Sequence, residues 1–212
     1  MKVFALFLSC VMLLGMLAGC RSNVPQETEG HIVPTDDATG ATIMTELTVP
    51  TMPMGMAESD SAMVLQKIWD QYPEDQRFSA YGGAVEQSVA DGPGDLDMSL
   101  TEELTTRYLL PEDQLQMVES GASLVHLMNN NIFTAVVFKV KENPENLAKS
   151  WRSSIQGTRW ICGQPDRMIM VQPAEGYLLM AFGSQDAMAT FRGHLMTAFP
   201  AANIMYEESI VA

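Results

Sequence analysis

From Ile132 to Val211 the apolar residues change period in a fixed order: strand, helix, strand, strand, helix, strand. That order leaves few folds open. Ile132 to Lys141 is a continuous apolar run. It follows a shorter run, Ser123 to Met128, across Asn129-Asn130-Asn131, and Asn tolerates the left-handed backbone of a hairpin turn. Asn143-Pro144-Glu145 then reads as a cap with Pro in the first helical turn. Leu147, Trp151 and Ile155 fall four apart on one helical face, and Gly157 ends the helix. Arg167 to Gln172 and Tyr177 to Phe182 form a second hairpin across Pro173-Ala174-Glu175-Gly176. Ser184 caps a final helix with Met188, Phe191, Leu195 and Phe199 on one stripe, and Pro200 stops it. Asn203 to Val211 is the last strand. The expectation is an α+β domain, a ferredoxin-like β-α-β-β-α-β antiparallel sheet with both crossover helices on one face. Ser123 to Met128 adds an extra N-terminal strand.

The strands carry a second message. Val136, Phe138 and Val140 share one face of their strand, while Phe133, Ala135 and Val137 share the other. Leu178, Met180 and Phe182 oppose Tyr177, Leu179 and Ala181 in the same way. A sheet with one wet face alternates apolar and polar residues, so both faces here are expected to be covered. Two upstream helices are the nearest covers, with a partner chain as the alternative. One runs from Ser59 or Asp60 to Tyr72, with Val64, Ile68 and Tyr72 four apart and Pro73 as its stop. The other lies within 99–118. There Ser99 and Glu102 have capping-box spacing, and Pro111 opens a further helical turn ending near Gly121. Between them, Tyr81-Gly82-Gly83 and Asp91-Gly92-Pro93-Gly94 mark turns.

Charge excludes some partners. The formal charge is −14, from 12 Lys and Arg against 26 Asp and Glu. Nucleic-acid binding needs clustered cations on phosphate, so no nucleic-acid partner is expected. Electrostatic adhesion to anionic headgroups is disfavoured for the same reason.

The N-terminus has the three parts of an export signal: Lys2, an apolar run from Val3 to Met16, then small residues. Leu17-Ala18-Gly19-Cys20 resembles the lipobox of bacterial lipoproteins. The resemblance implies a diacylglyceryl thioether on Cys20, cleavage before it, and commonly acylation of its amine. Two or three acyl chains anchor stably where one is marginal. The expected layout is a signal peptide over 1–19, a lipid-anchored tether over 20–58 and a globular domain over 59–212, on the extracytoplasmic face of the cell membrane. The tether reading rests on Pro25, Pro34, Pro50 and Pro53 among Gly, Thr and acidic residues, a composition too polar to offset ordering entropy. A flexible stretch of that length has an end-to-end distance of roughly 35 Å. With Cys10 in the signal and Cys20 carrying lipid, Cys162 is left without a disulfide partner. The region 60–212 also resembles lipoproteins of Gram-positive gut bacteria that share a domain of unknown function. The likeness lies in layout and in Phe133 to Lys141 and Tyr177 to Gly183, and that family transfers no site residues.

Chemistry is sparse. No nucleophile elbow, phosphate loop or dinucleotide fingerprint occurs. His31, His126 and His194 stand without partners at metal-ligand spacing. Glu102-Glu103, Glu112-Asp113 and Glu207-Glu208 are adjacent carboxylates, which point apart on a helix or strand. The segment from Arg159 to Arg167 concentrates two Arg, Trp160 and Cys162 in a loop. Arg159 and Arg167 are candidates to hold a carboxylate or phosphate, with Trp160 stacking on the ligand. In the competing reading Trp160 and Ile161 plug the core. Met52, Met54 and Met56 offer soft thioethers that suit Cu(I), in a chain with 17 Met overall. The leading expectation is a noncatalytic surface lipoprotein that binds a ligand or partner and needs no cofactor. The alternatives are an enzyme or accessory factor of wall or export metabolism, and a copper-handling lipoprotein.

Overall fold

The computed structural model describes residues 59–211. The expected signal, Cys20, the tether and Met52, Met54 and Met56 lie outside the described residues. The described part is α+β. Helix α1 spans Asp60–Trp69 and is followed by strands β1 (Ala80–Gly82), β2 (Val89–Ala90) and β3 (Gly94–Asp95). Helix α2 (Thr101–Thr106) leads through a 3-10 turn, Glu112–Met117, into β4 (Val118–His126) and β5 (Phe133–Val140). Then come α3 (Glu145–Gln156), β6 (Arg167–Gln172), β7 (Tyr177–Gly183), α4 (Gln185–Ala198) and β8 (Asn203–Ser209).

The eight strands form one antiparallel sheet in the order β2-β1-β4-β5-β7-β6-β8, with β3 also paired to β4. The β-α-β-β-α-β element order is present, but the strand order is not that of a ferredoxin-like sheet. There the last strand lies beside the first. Here β8 pairs with β6, because β4 already occupies the free edge of β5. The β4–β5 hairpin is local and closes at little entropic cost, whereas pairing β8 with β5 would close a far longer loop.

This change moves a helix. β5 and β6 both run antiparallel to β7, so they are parallel to each other and α3 is their crossover. β7 and β8 both run antiparallel to β6, with α4 as their crossover. Both crossovers step the same way across the sheet, but β7 points opposite to β5. Right-handed connections then put α3 and α4 on opposite faces. The two cores have that arrangement. Phe133, Ala135, Val137, Leu179 and Ala181 pack under Met188, Phe191 and Leu195 of α4 and Leu65, Ile68 and Trp69 of α1. Val136, Phe138, Leu178, Met180 and Phe182 pack under Leu147, Trp151 and Ile155 of α3, with Leu104 and Tyr108 from the α2 region. Both sheet faces are covered, and by this chain's own helices, α1 with α4 and α2 with α3.

Local details follow from individual residues. The Ser59 hydroxyl accepts from the Ala62 N–H, and the Ser184 hydroxyl accepts from the Ala187 N–H, so both serines cap as their positions suggest. Ser99 does not cap: its hydroxyl donates to Asp97 at 2.6 Å, and α2 starts from Leu100 without a side-chain cap. The segment expected to stay helical to Gly121 turns into β4 at Val118, where Val118 pairs with Val140. At the far edge, Glu207 and Glu208 point to opposite faces of β8. Arg192 of α4 holds the first and Arg152 of α3 the second.

Candidate functional site

The loop between α3 and β6 carries the three residues singled out for ligand binding, and the structure separates them. Arg159 is exposed. Trp160 turns inward and meets Phe182 edge-on, ring centroids 5.0 Å apart, as part of the α2/α3 core. Its Nε1 is buried with no hydrogen-bond partner among the described residues. Trp160 is half-buried, and part of its ring is taken up by this packing. Ile161, expected beside it in the core, instead faces solvent. Cys162 is exposed, with a left-handed backbone at φ +65°.

Arg167 opens β6 with its side chain on the other sheet face, in register with Ile169 of the α1/α4 core. It lines a cleft of about 350 Å³ between α4 and the β6–β8 pair. The cleft is walled by Arg167, Ile169, Gln185, Met188, Arg192 and Glu207. Arg192 Nε donates to Glu207 at 3.0 Å. Arg167 has no carboxylate within ion-pair distance among the described residues. The cleft so joins one unpaired guanidinium, one neutralised guanidinium, an amide and a Met-lined floor. Such a set suits an anionic group attached to an apolar body. Sequence reasoning reached Arg167 through its loop neighbours and missed Arg192, Gln185 and Met188. The missing link was the face assignment of α4, which depends on the strand order. A larger, shallower groove of about 930 Å³ runs along α3 between Glu142, Lys149, Ser150 and Asp113. Its charges are mixed, and Pro111 and Met117 supply its apolar lining.

The other titratable groups serve packing. His194 lies against Tyr72, centroids 4.1 Å apart, and its burial lowers its pKa. His126 stacks on Phe78 at 5.4 Å. The Arg152 hydrogen bonds hold the Glu208 carboxyl below its usual range. Tyr108 is pushed up to about 12 by burial, and its hydroxyl meets Ser123 at 3.0 Å. Among the described residues no three His, Cys, Asp or Glu side chains gather closely enough to hold a metal ion.

The same loop is stitched to the β4–β5 turn. Asn131 Nδ2 donates to the Ile161 carbonyl at 2.9 Å and also to that of Gly163. Asn129 Nδ2 reaches the Cys162 carbonyl at 3.4 Å. Two of the three asparagines expected only to make a turn thus also fix a second loop, while Asn130 accepts from the Tyr81 hydroxyl at 3.0 Å. Among the described residues no helix is long and apolar enough to cross a membrane. Compared with protein-family models, with curated proteins and with solved structures, the chain matches none.

Proposed function

We propose that this chain is a lipid-anchored, noncatalytic ligand-binding protein on the extracytoplasmic face of a cell membrane, and that Arg167 receives an anionic group of the ligand. The anchor reading is supported by Leu17-Ala18-Gly19-Cys20 behind an apolar run. The binding reading is carried by one observation: the α4–β8 cleft, where a guanidinium with no ion-pair partner borders an apolar floor. An anion there gains charge-assisted hydrogen bonds without first displacing a carboxylate from Arg167. Because both sheet faces are closed, a small ligand is left with the margins of the domain, and this cleft is the margin with complementary chemistry.

Two measurements test the reading. Labelled palmitate should enter the wild-type protein and not Cys20→Ser, which should leave the membrane fraction; equal labelling overturns the anchor. For the cleft, saturation-transfer NMR on the Cys20→Ser chain lacking residues 1–19 should detect hexanoate, with hexanol weaker. Arg167→Gln should reduce the hexanoate signal at least fivefold at unchanged Tm. Equal signals from both proteins overturn the assignment of Arg167.

A further inference from the structure

The pole of the domain formed by the β4–β5 turn and the α3–β6 loop has an apolar surface. Met128 is 80 % exposed, Ile161 79 %, Leu127 56 % and Ile132 38 %. These side chains come from two separate loops, joined by the Asn129 and Asn131 amides on the carbonyls of Ile161, Cys162 and Gly163. The patch is therefore held in shape before it meets anything, and forming a contact there costs little ordering.

Its charge sets it apart from the rest of the chain. The chain has 26 Asp and Glu and a formal charge of −14, yet the turn and loop that form the tip, residues 127–132 and 157–165, contain no carboxylate; the first acids outside them are Asp166, which accepts from the Gln185 N–H at 2.8 Å, and Glu103, which lines the surface beside Asn130. The full charge on the two loops is the exposed Arg159. An apolar tip that carries a cation and no acid of its own matches a surface that sits at a lipid–water boundary. Apolar groups enter the acyl margin there and cations meet phosphate. A carboxylate at that depth would be repelled by the headgroups and poorly solvated.

Chain geometry permits it. The described chain starts at Ser59, whose N–H donates to Asp95 at 3.1 Å, and Asp95 pairs with Ala122 of β4. Leu127 lies five residues further along that strand, roughly 17 Å away at the usual rise. The residues from Cys20 to Ser59 far exceed that distance in covalent reach.

We infer that Leu127, Met128, Ile132 and Ile161 dip into the outer interface of the bilayer that holds the chain. The inference rests on the anchored reading above for its proximity to lipid. The anchor fixes one end of the chain to the membrane, and the tip then sets which pole of the domain faces it, leaving the opposite turn at Ala174 and Glu175 outward.

The test places a photo-crosslinking amino acid at Met128, or at Glu175 as the control, in the full-length protein expressed in its own cells. Both positions are exposed, so neither substitution disturbs the core. Expected are lipid adducts at 128, at least tenfold above those at 175, with the protein in the membrane fraction. A Leu127→Ser, Ile161→Ser background should lower the yield at 128 at least fivefold while the protein stays with the membrane. A protein adduct at 128 overturns the inference and marks the tip as a protein-docking surface. Equal or absent lipid adducts at the two positions in a membrane-bound protein overturn the tip alone. A protein that leaves the membrane fraction overturns both the tip and the anchor.

Discussion

Trp160 sits in a loop, half-buried against the α2/α3 core, and its chemistry makes a sharp prediction. The indole covers Phe182, while Nε1 is buried without an acceptor among the described residues. Trp160→Phe keeps a smaller aromatic ring against Phe182 and removes the orphan donor, so stability should stay within about 1 kcal/mol of wild type. Trp160→Ala removes the ring and should cost about 3 kcal/mol in urea unfolding. Equal losses for both would show that the indole nitrogen is bonded after all. His194 gives a pH prediction. Burial against Tyr72 lowers its folded pKa below the unfolded value, so the neutral ring favours the folded state. The contribution is complete above the ordinary histidine range and is lost as pH falls through it and then through the lower folded value. Glu208, also depressed, adds a loss at more acidic pH. The fall in Tm between pH 7.5 and 5.5 should shrink in His194→Gln, and an unchanged fall refutes the assignment. Residue type alone did not announce these roles. The sequence shows that Trp160 and both arginines are close in number; the alternation of β6, which sends Arg167 and Met168 to opposite faces, is what parts them.

At the level of elements, the hairpins and the α3 and α4 helices were legible because period, cap and stop residue all agree in each. Segment 74–97 was not. Its strands are two or three residues long, too short to show a period, and they are held by backbone contact more than by side chains. Gly82 is the clearest case: a Cβ there would lie 2.2 Å from the Ser123 carbonyl oxygen and 2.3 Å from the Gly94 nitrogen. The glycines read as turn markers are also the places where β1, β3 and β4 come close. Gly82→Ala must push these backbones apart, and should cost more than about 2 kcal/mol in thermal or urea unfolding. A neutral result would show that β1 does not pack on β4 as described. The Ser99 capping box failed for a different reason. Asp97, two residues earlier, accepts both the Ser99 N–H at 2.8 Å and its hydroxyl, and this tight local turn competes with the cap.

For the whole molecule, strand order decides more than strand content. The double apolar faces of β5 and β7 correctly called for two covers, and the upstream helices supply part of each. What the pattern left open was which edge receives β8, since a strand's residues look alike whichever neighbour it joins. That choice places α4, and with it the Arg167 cleft. One sheet serving two cores should also melt as one unit. Phe191→Ala on the α4 side and Trp151→Ala on the α3 side should each lower a single calorimetric transition by about 3–5 kcal/mol. Two separated transitions in either variant would show that the layers fold independently. The last strand has one more consequence. Among the described residues no strand lies beyond its outer rim, and a bare rim of seven residues invites other chains to zip on. Here a guanidinium stands guard above and another below, each gripping a neighbouring glutamate. An intruding strand would have to lay its side chains against both. Two copies meeting rim to rim would have to displace both ion pairs before their sheets could join.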